Sequence, residues 1–193
     1  MGMQKDSVNV TGVIEARFGW NAFPKQRSGG LIGGLFDRDV SIDCDARAVF
    51  CKEDGSPISP SLEDCCLYYG NVNMFDGAAA HQGDNKTGGN GDDEVIILDL
   101  NKLPAQVKQV LLTLDLFKEK KRIGTGKIQE AFVRIVDQES GDELIGNDIT
   151  NLHSGARMVI AGRIKRNGDS WVFMREGESV PATDINDFVS KYT

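Results

Sequence analysis

Histidine is scarce in this 193-residue chain, with two copies, His81 and His153. That scarcity argues against a histidine-based zinc centre. Cysteine is sparse as well: Cys44, Cys51, Cys65 and Cys66 contain no C-x-x-C pair, and Cys44 and Cys51 fall in apolar strand patterns. They read as free, buried thiols of a reducing compartment, in a chain long enough to bury a core without disulfides. No apolar run approaches the roughly 20 residues that span a bilayer, and the N-terminus lacks the basic start and apolar stretch of a secretory signal. The expectation is a soluble, cytoplasmic protein with no membrane insertion. Positive charge is in deficit, since 22 Lys and Arg face 29 Asp and Glu for a net charge of −7. Phosphate backbones require a basic surface, so nucleic acid is not an expected partner. No serine occupies a G-x-S-x-G elbow, which leaves nucleophilic catalysis without an evident centre.

What the chain does hold is oxygen. Gly83 to Glu94 is a run of twelve residues with four carboxylates, two carboxamides, four glycines and no apolar side chain. Carboxylates crowded into a glycine-rich turn repel one another and call for a compensating hard cation; oxygen ligands on a flexible loop suit Ca²⁺ better than Zn²⁺. A solvated acidic loop accounts for the same composition. A second acidic stretch favours the cation. Asp37, Asp39, Asp43 and Asp45 lie within nine residues, and each stretch, counting Arg38 and Lys86, contributes −3 to the net charge of −7.

The remainder of the chain reads mostly in period two. Ile14, Ala16, Phe18 and Trp20 alternate with Glu15, Arg17 and Gly19, as in a half-buried strand. Asn21 to Phe36, with its Ser28 to Gly34 glycine run, reads as a surface loop. From Val40 to Phe50 the apolar residues Val40, Ile42, Cys44, Ala46, Ala48 and Phe50 share one strand face, and Ser41, Asp43, Asp45 and Arg47 share the other. Like charges two apart on one face need a cation between or opposite them, and either Arg47 or a metal ion meets that need. Further strands are expected at Cys65–Tyr69, at Glu94–Leu100 with both faces buried, at Val110–Phe117, Ala131–Val136, Arg157–Ile164 and Trp171–Met174. Asn167-Gly168-Asp169 marks a hairpin. Ile185, Phe188, Val189 and Tyr192, at i, i+3, i+4 and i+7 behind Thr183 as N-cap, predict a terminal helix over about 183–192. About eight short strands and one late helix define an all-β fold, an antiparallel β-sandwich with a short C-terminal helix, in a single domain.

Several motif matches fail. Gly124-Thr125-Gly126-Lys127 lacks the first glycine and the Ser or Thr of a P-loop, the acidic run places Lys86 and Gly88 at EF-hand ligand positions, and Gly88 to Ile96 matches a calcium-binding nonapeptide in a single copy.

The order Gly19-Trp20-Asn21, Ile42-Asp43-Cys44-Asp45-Ala46-Arg47-Ala48, His81-Gln82-Gly83-Asp84-Asn85-Lys86-Thr87-Gly88 and Gly91-Asp92-Asp93-Glu94 resembles the TerD family of tellurium-resistance and general stress proteins. Met158 to Arg166, followed by Gly168-Asp169-Ser170-Trp171, is similar to that family's last hairpin. The likeness runs from about residue 7 to 178. It implies a cytoplasmic bacterial β-sandwich that binds Ca²⁺ through acidic loops, works among other stress-response proteins and has no established enzymatic activity. The chain departs from the family at Asn21, where Asp is usual, at Asn90, which replaces an acid in a loop one residue short, and in a longer first loop around Ser28 to Asp39. On this resemblance and the charge pattern together, Asp43, Asp45, Asp84, Asp92, Asp93 and Glu94 are expected to converge on one or two Ca²⁺ ions, with two the favoured number. Asn71 and Asn85 or backbone carbonyls would complete the shell, and Asp37 and Asp39 stand in reserve. A metal-dependent hydrolase and a small-ligand-binding sandwich module are the alternatives, the last disfavoured because no aromatic cluster adjoins the acidic loop in sequence.

Overall fold

The computed structural model describes residues 6–22, 43–89, 91–116, 128–150, 158–180 and 185–192. Within them run β1 (Ser7–Val10), β2 (Val13–Ala22), β3 (Cys44–Cys51), α1 (Leu62–Cys65), β4 (Cys66–Leu67), β5 (Asn73–Met74), β6 (Ala79–His81), β7 (Glu94–Asp99), β8 (Gln109–Leu116), β9 (Ile128–Asp137), β10 (Glu143–Asp148), β11 (Met158–Asn167), β12 (Ser170–Val180) and α2 (Ile185–Tyr192). The reserve ligands Asp37 and Asp39, the glycine run of the first loop, Asn90, the Gly124–Lys127 turn and the Thr183 cap lie outside the described residues.

The strands form two six-stranded sheets, ordered β1-β12-β11-β8-β3-β4 and β10-β9-β2-β7-β6-β5. Every pairing is antiparallel. The expected sandwich is therefore present, with more strands than the sequence pattern suggests, and with β9, β11 and β12 longer than expected. Between the sheets lies one apolar layer to which β2 contributes Ile14, Ala16, Phe18 and Trp20, β3 contributes Cys44, Ala46, Ala48 and Phe50, and β7 contributes Ile96 and Leu98. These are the alternate positions that period two selects.

A third layer changes the environment of β3. Ile185, Phe188 and Val189 of α2 pack with Val49, Cys51, Leu111, Met158 and Ile160 on the outer side of the first sheet, joined there by Cys65 and Cys66. All eight residues of β3 are consequently buried. β7 differs from expectation in the opposite sense: one face is buried and the other, with Val95 and Ile97, is only half-buried. The Cys65–Tyr69 strand is also corrected. Leu62–Cys65 forms a helical turn whose first residues include Glu63 and Asp64, acids that suit the positive end of the helix dipole, and the strand shrinks to Cys66–Leu67. Asn71 closes this turn, donating its carboxamide to the Glu63 and Cys66 carbonyls at 2.8 and 2.9 Å.

All four cysteines are free and buried. Burial pushes Cys51 up to about 12 and Cys65 up to about 11, and raises Cys44 and Cys66 as well. Thiolate is the reactive form, so at pH 8 the native protein should resist iodoacetamide under conditions that fully alkylate the urea-unfolded chain. Prompt labelling of the native protein, read by mass spectrometry, would contradict this burial.

Candidate metal centre

The acidic run follows β6 and leads into β7, and its backbone is tied to β2 rather than hanging free. Gly89 N–H donates to the Trp20 carbonyl at 3.2 Å and Asp93 N–H to the Phe18 carbonyl at 2.7 Å. Asp93 answers with its side chain, accepting the Trp20 N–H at 2.8 Å on Oδ2 and the Asn85 amide at 2.8 Å on Oδ1. Asn85 Oδ1 in turn accepts from the backbone and hydroxyl of Thr87, both at 3.1 Å. Two glycines permit this close approach. A Cβ on Gly88, which sits at φ +68°, would lie 2.6 Å from the Trp20 ring, and one on Gly19 would lie 2.3 Å from both the Gly91 carbonyl oxygen and the Phe132 ring. Gly19→Ala is therefore expected to cost about 1–3 kcal/mol by overpacking. An unchanged denaturation midpoint would mean that the loop does not rest on β2 in this way.

Glu94 occupies the start of β7 and is 2 % exposed. Its Oε2 accepts the Ala46 N–H of β3 at 2.8 Å and its Oε1 the Asn85 N–H at 3.2 Å, so one carboxylate links the two sheets and the acidic run. His81 Nε2 stands 3.4 Å from the same Oε2. Asp45, near the start of β3, is 3 % exposed. Its Oδ2 meets Arg47 Nη2 at 3.1 Å, while Arg47 Nε donates to Asp115 Oδ2 at 2.8 Å. One guanidinium thus serves two buried acids. Burial raises Asp45 to about 7; Arg47 opposes that rise, and Glu94, Asp115 and Asp43 add to it.

Asp45, Asp84 and Glu94 converge: each offers an oxygen, and the three lie within 4.8 Å of one another. Asp84 is the exposed member, with Lys86 Nζ 3.7 Å away. Three residues from β3, from the acidic run and from β7 meet only because the fold brings the open end of the sandwich together. The donor set consists of oxygen, two of the carboxylates are out of water, and the nearby cation is already shared with Asp115. A hard divalent ion fits these residues, because buried negative charge requires compensation and oxygen suits Ca²⁺.

Of the other expected ligands, Asp92, Asn71, Asn85 and Asp93 hold partners of their own. Asp92 receives Arg134 Nε and Nη2 at 2.8 and 2.6 Å and Arg17 Nη1 at 3.3 Å. Arg17 and Arg134 are direct partners across β2 and β9, and like charges opposite one another need a shared acid, which Asp92 supplies. Asn71 clamps the α1–β4 turn, as described above. Asn85 and Asp93 hold each other and the loop. Burial lifts Asp93, and the backbone N–H groups of Trp20 and Gly89 oppose the rise. Asp43 precedes β3, half-buried, and acts on Asp45 by charge. His81 and Asp115 carried no functional signal of their own in the sequence. Nor did Tyr68 and Tyr69, whose rings lie 5.3 and 5.9 Å from the Arg47 guanidinium and bring aromatic surface one residue away from Asp45.

Fold and site together define a class, an antiparallel β-sandwich carrying a cluster of three acids, Asp45, Asp84 and Glu94, with the geometry to hold a metal ion. A TerD domain matches residues 3–192, and the chain belongs to the TerD family. The Bacillus subtilis (strain 168) stress response protein SCP2 is 31 % identical over 177 residues, covering 90 % of this chain and 86 % of its own. The Serratia marcescens tellurium resistance protein TerZ is 35 % identical over 173 residues, covering 89 % and 82 %. The crystal structure of a homologue of telluride resistance protein (TerD) from Streptomyces coelicolor A3(2) superposes with a TM-score of 0.68 at 16 % identity, over 91 % of this chain and 94 % of that one; it supports the fold.

Proposed function

We propose that this protein is a cytoplasmic calcium-binding stress-response protein of the tellurium-resistance type, in which Ca²⁺ fixes the acidic run against β2 and β3 and so shapes a surface for another stress-response protein. The ion acts on conformation, and the chain performs no turnover of its own. The convergence of Asp45, Asp84 and Glu94 carries this reading, with two of the three carboxylates buried. Family membership and the names of the relatives support the stress-response context. Tyr69 and Val72 are the exposed large apolar residues among those described; Tyr69 lies beside Arg47, Val72 follows three positions on, and both suit a contact surface.

The test is a metal analysis and calorimetric Ca²⁺ titration of chelator-treated protein. Saturable binding of one or two ions is the expected result, with Mg²⁺ weaker because it demands a tighter octahedron and releases water reluctantly. No heat and no retained ion at millimolar Ca²⁺ would overturn the reading. Ca²⁺-stimulated hydrolysis of generic phosphate or ester substrates would replace it with the hydrolase alternative, since a catalytic metal keeps positions open for water and substrate.

A further inference from the structure

A histidine buried beside a metal-ligating carboxylate either lends its nitrogen to the ion or orients the carboxylate, and the two roles require different tautomers. His81 is the last residue of β6, paired with Ile96 of β7, and its side chain is fully buried. The Gly83 backbone N–H donates to Nδ1 at 3.3 Å. A backbone amide has a hydrogen to give and nothing to accept with, so Nδ1 must present its lone pair. A neutral imidazole carries one proton, which therefore resides on Nε2. That nitrogen makes no well-aligned hydrogen bond, yet it faces Glu94 Oε2 at 3.4 Å. The polarity of this contact is fixed, with the proton on the ring and the lone pairs on the carboxylate.

Two consequences follow for Glu94. Its carboxylate accepts two N–H groups, from Ala46 and Asn85, and is faced at 3.4 Å by the His81 ring nitrogen; none of the three belongs to a cationic side chain. Its full negative charge is left for an ion, in contrast to Asp92 between its two arginines. The Nε2 of His81, once protonated, also has no lone pair with which to hold a soft or borderline metal such as zinc. We infer that His81 is a positioning residue, locked by Gly83 in the Nε2–H form, which fixes Glu94 as an oxygen ligand while withholding its own nitrogen, so that the site takes hard divalent cations and rejects zinc.

This inference rests on the calcium reading above, and the full chain tests both. CaCl₂ is titrated into wild type, His81→Leu and His81→Gln by calorimetry, with circular dichroism to verify the fold. Outer-shell partners of this kind are worth roughly 10–100-fold in metal affinity. His81→Leu should lose that much, and His81→Gln, whose terminal amide places a donor near Nε2, should recover most of it. Calcium affinity unchanged in His81→Leu, or lost equally in His81→Gln, overturns the positioning role alone. Wild type that binds no calcium overturns the calcium reading and this inference with it. Should His81→Leu fail to fold, long-range ¹⁵N NMR of the wild-type imidazoles, assigned with His153→Gln, still decides. The Nε2–H tautomer, retained on adding CaCl₂ or ZnCl₂, is expected; an Nδ1-protonated ring, or a nitrogen that takes up zinc, overturns it.

Discussion

Glu94→Gln should abolish the calcium response of this protein while leaving a folded sandwich. In wild type, a ligand that binds only the folded state at a hundredfold excess over Kd stabilises it by about 2.7 kcal/mol, which for a chain of this size raises the melting temperature by roughly 5 to 10 °C. The glutamine retains an oxygen for the Ala46 N–H but turns an NH₂ toward the Asn85 N–H, where a carboxylate oxygen now accepts. One half-buried donor is then left without its acceptor, at about 1 kcal/mol, the low end of the range for a buried one. The variant should melt somewhat below chelator-treated wild type and show no upward shift in Ca²⁺. A full calcium-dependent shift in Glu94→Gln, measured by differential scanning calorimetry, would remove Glu94 from the site.

Arg47→Met should be the most destabilising single change at this end of the molecule. Asp45 and Asp115 are partners across β3 and β8, both buried, and the Arg47 guanidinium lies against both. Removing one partner of a buried ionic group strands the remaining charge at a cost of about 3–5 kcal/mol. Ca²⁺ should return part of that loss, because the ion compensates the same Asp45 carboxylate. Urea denaturation with and without Ca²⁺ tests both statements: a loss below about 1 kcal/mol would mean that solvent already screens the pair, and a deficit unaffected by Ca²⁺ would mean that the ion does not touch Asp45.

How much of this was legible in the sequence depended on the range of the interaction. Period two placed the inward faces of β2 and β3, because a strand's alternation is written into neighbouring residues. The amphipathic stripe of α2 was equally local. The α1 turn was misread because Cys65 to Tyr69 is apolar enough for a strand, and nothing in that run shows that Asn71 will clamp two of the preceding carbonyls. Within the candidate site the sequence named a set of acids and could not sort them. Asp92 and Asp93 are neighbours of the same chemistry, but Asp92 meets an arginine 42 positions away and another 75 positions away, and the register of β2 on β9 decides that. The loop proved less independent than its glycine content suggested, since carboxylates that repel one another also accept backbone N–H groups, and Asp93 and Glu94 do so.

The Ala46 amide sits in a strand buried on both faces, yet its proton is given to Glu94 across the gap between the sheets. Its partner is a side chain at the mouth of the sandwich, whereas neighbouring ladder amides open only with the sheet. Under native conditions its exchange with deuterated water should follow the excursions of that one carboxylate, faster than its neighbours in chelator and slowed in Ca²⁺. A single backbone proton would then serve as a clock for the ion's residence.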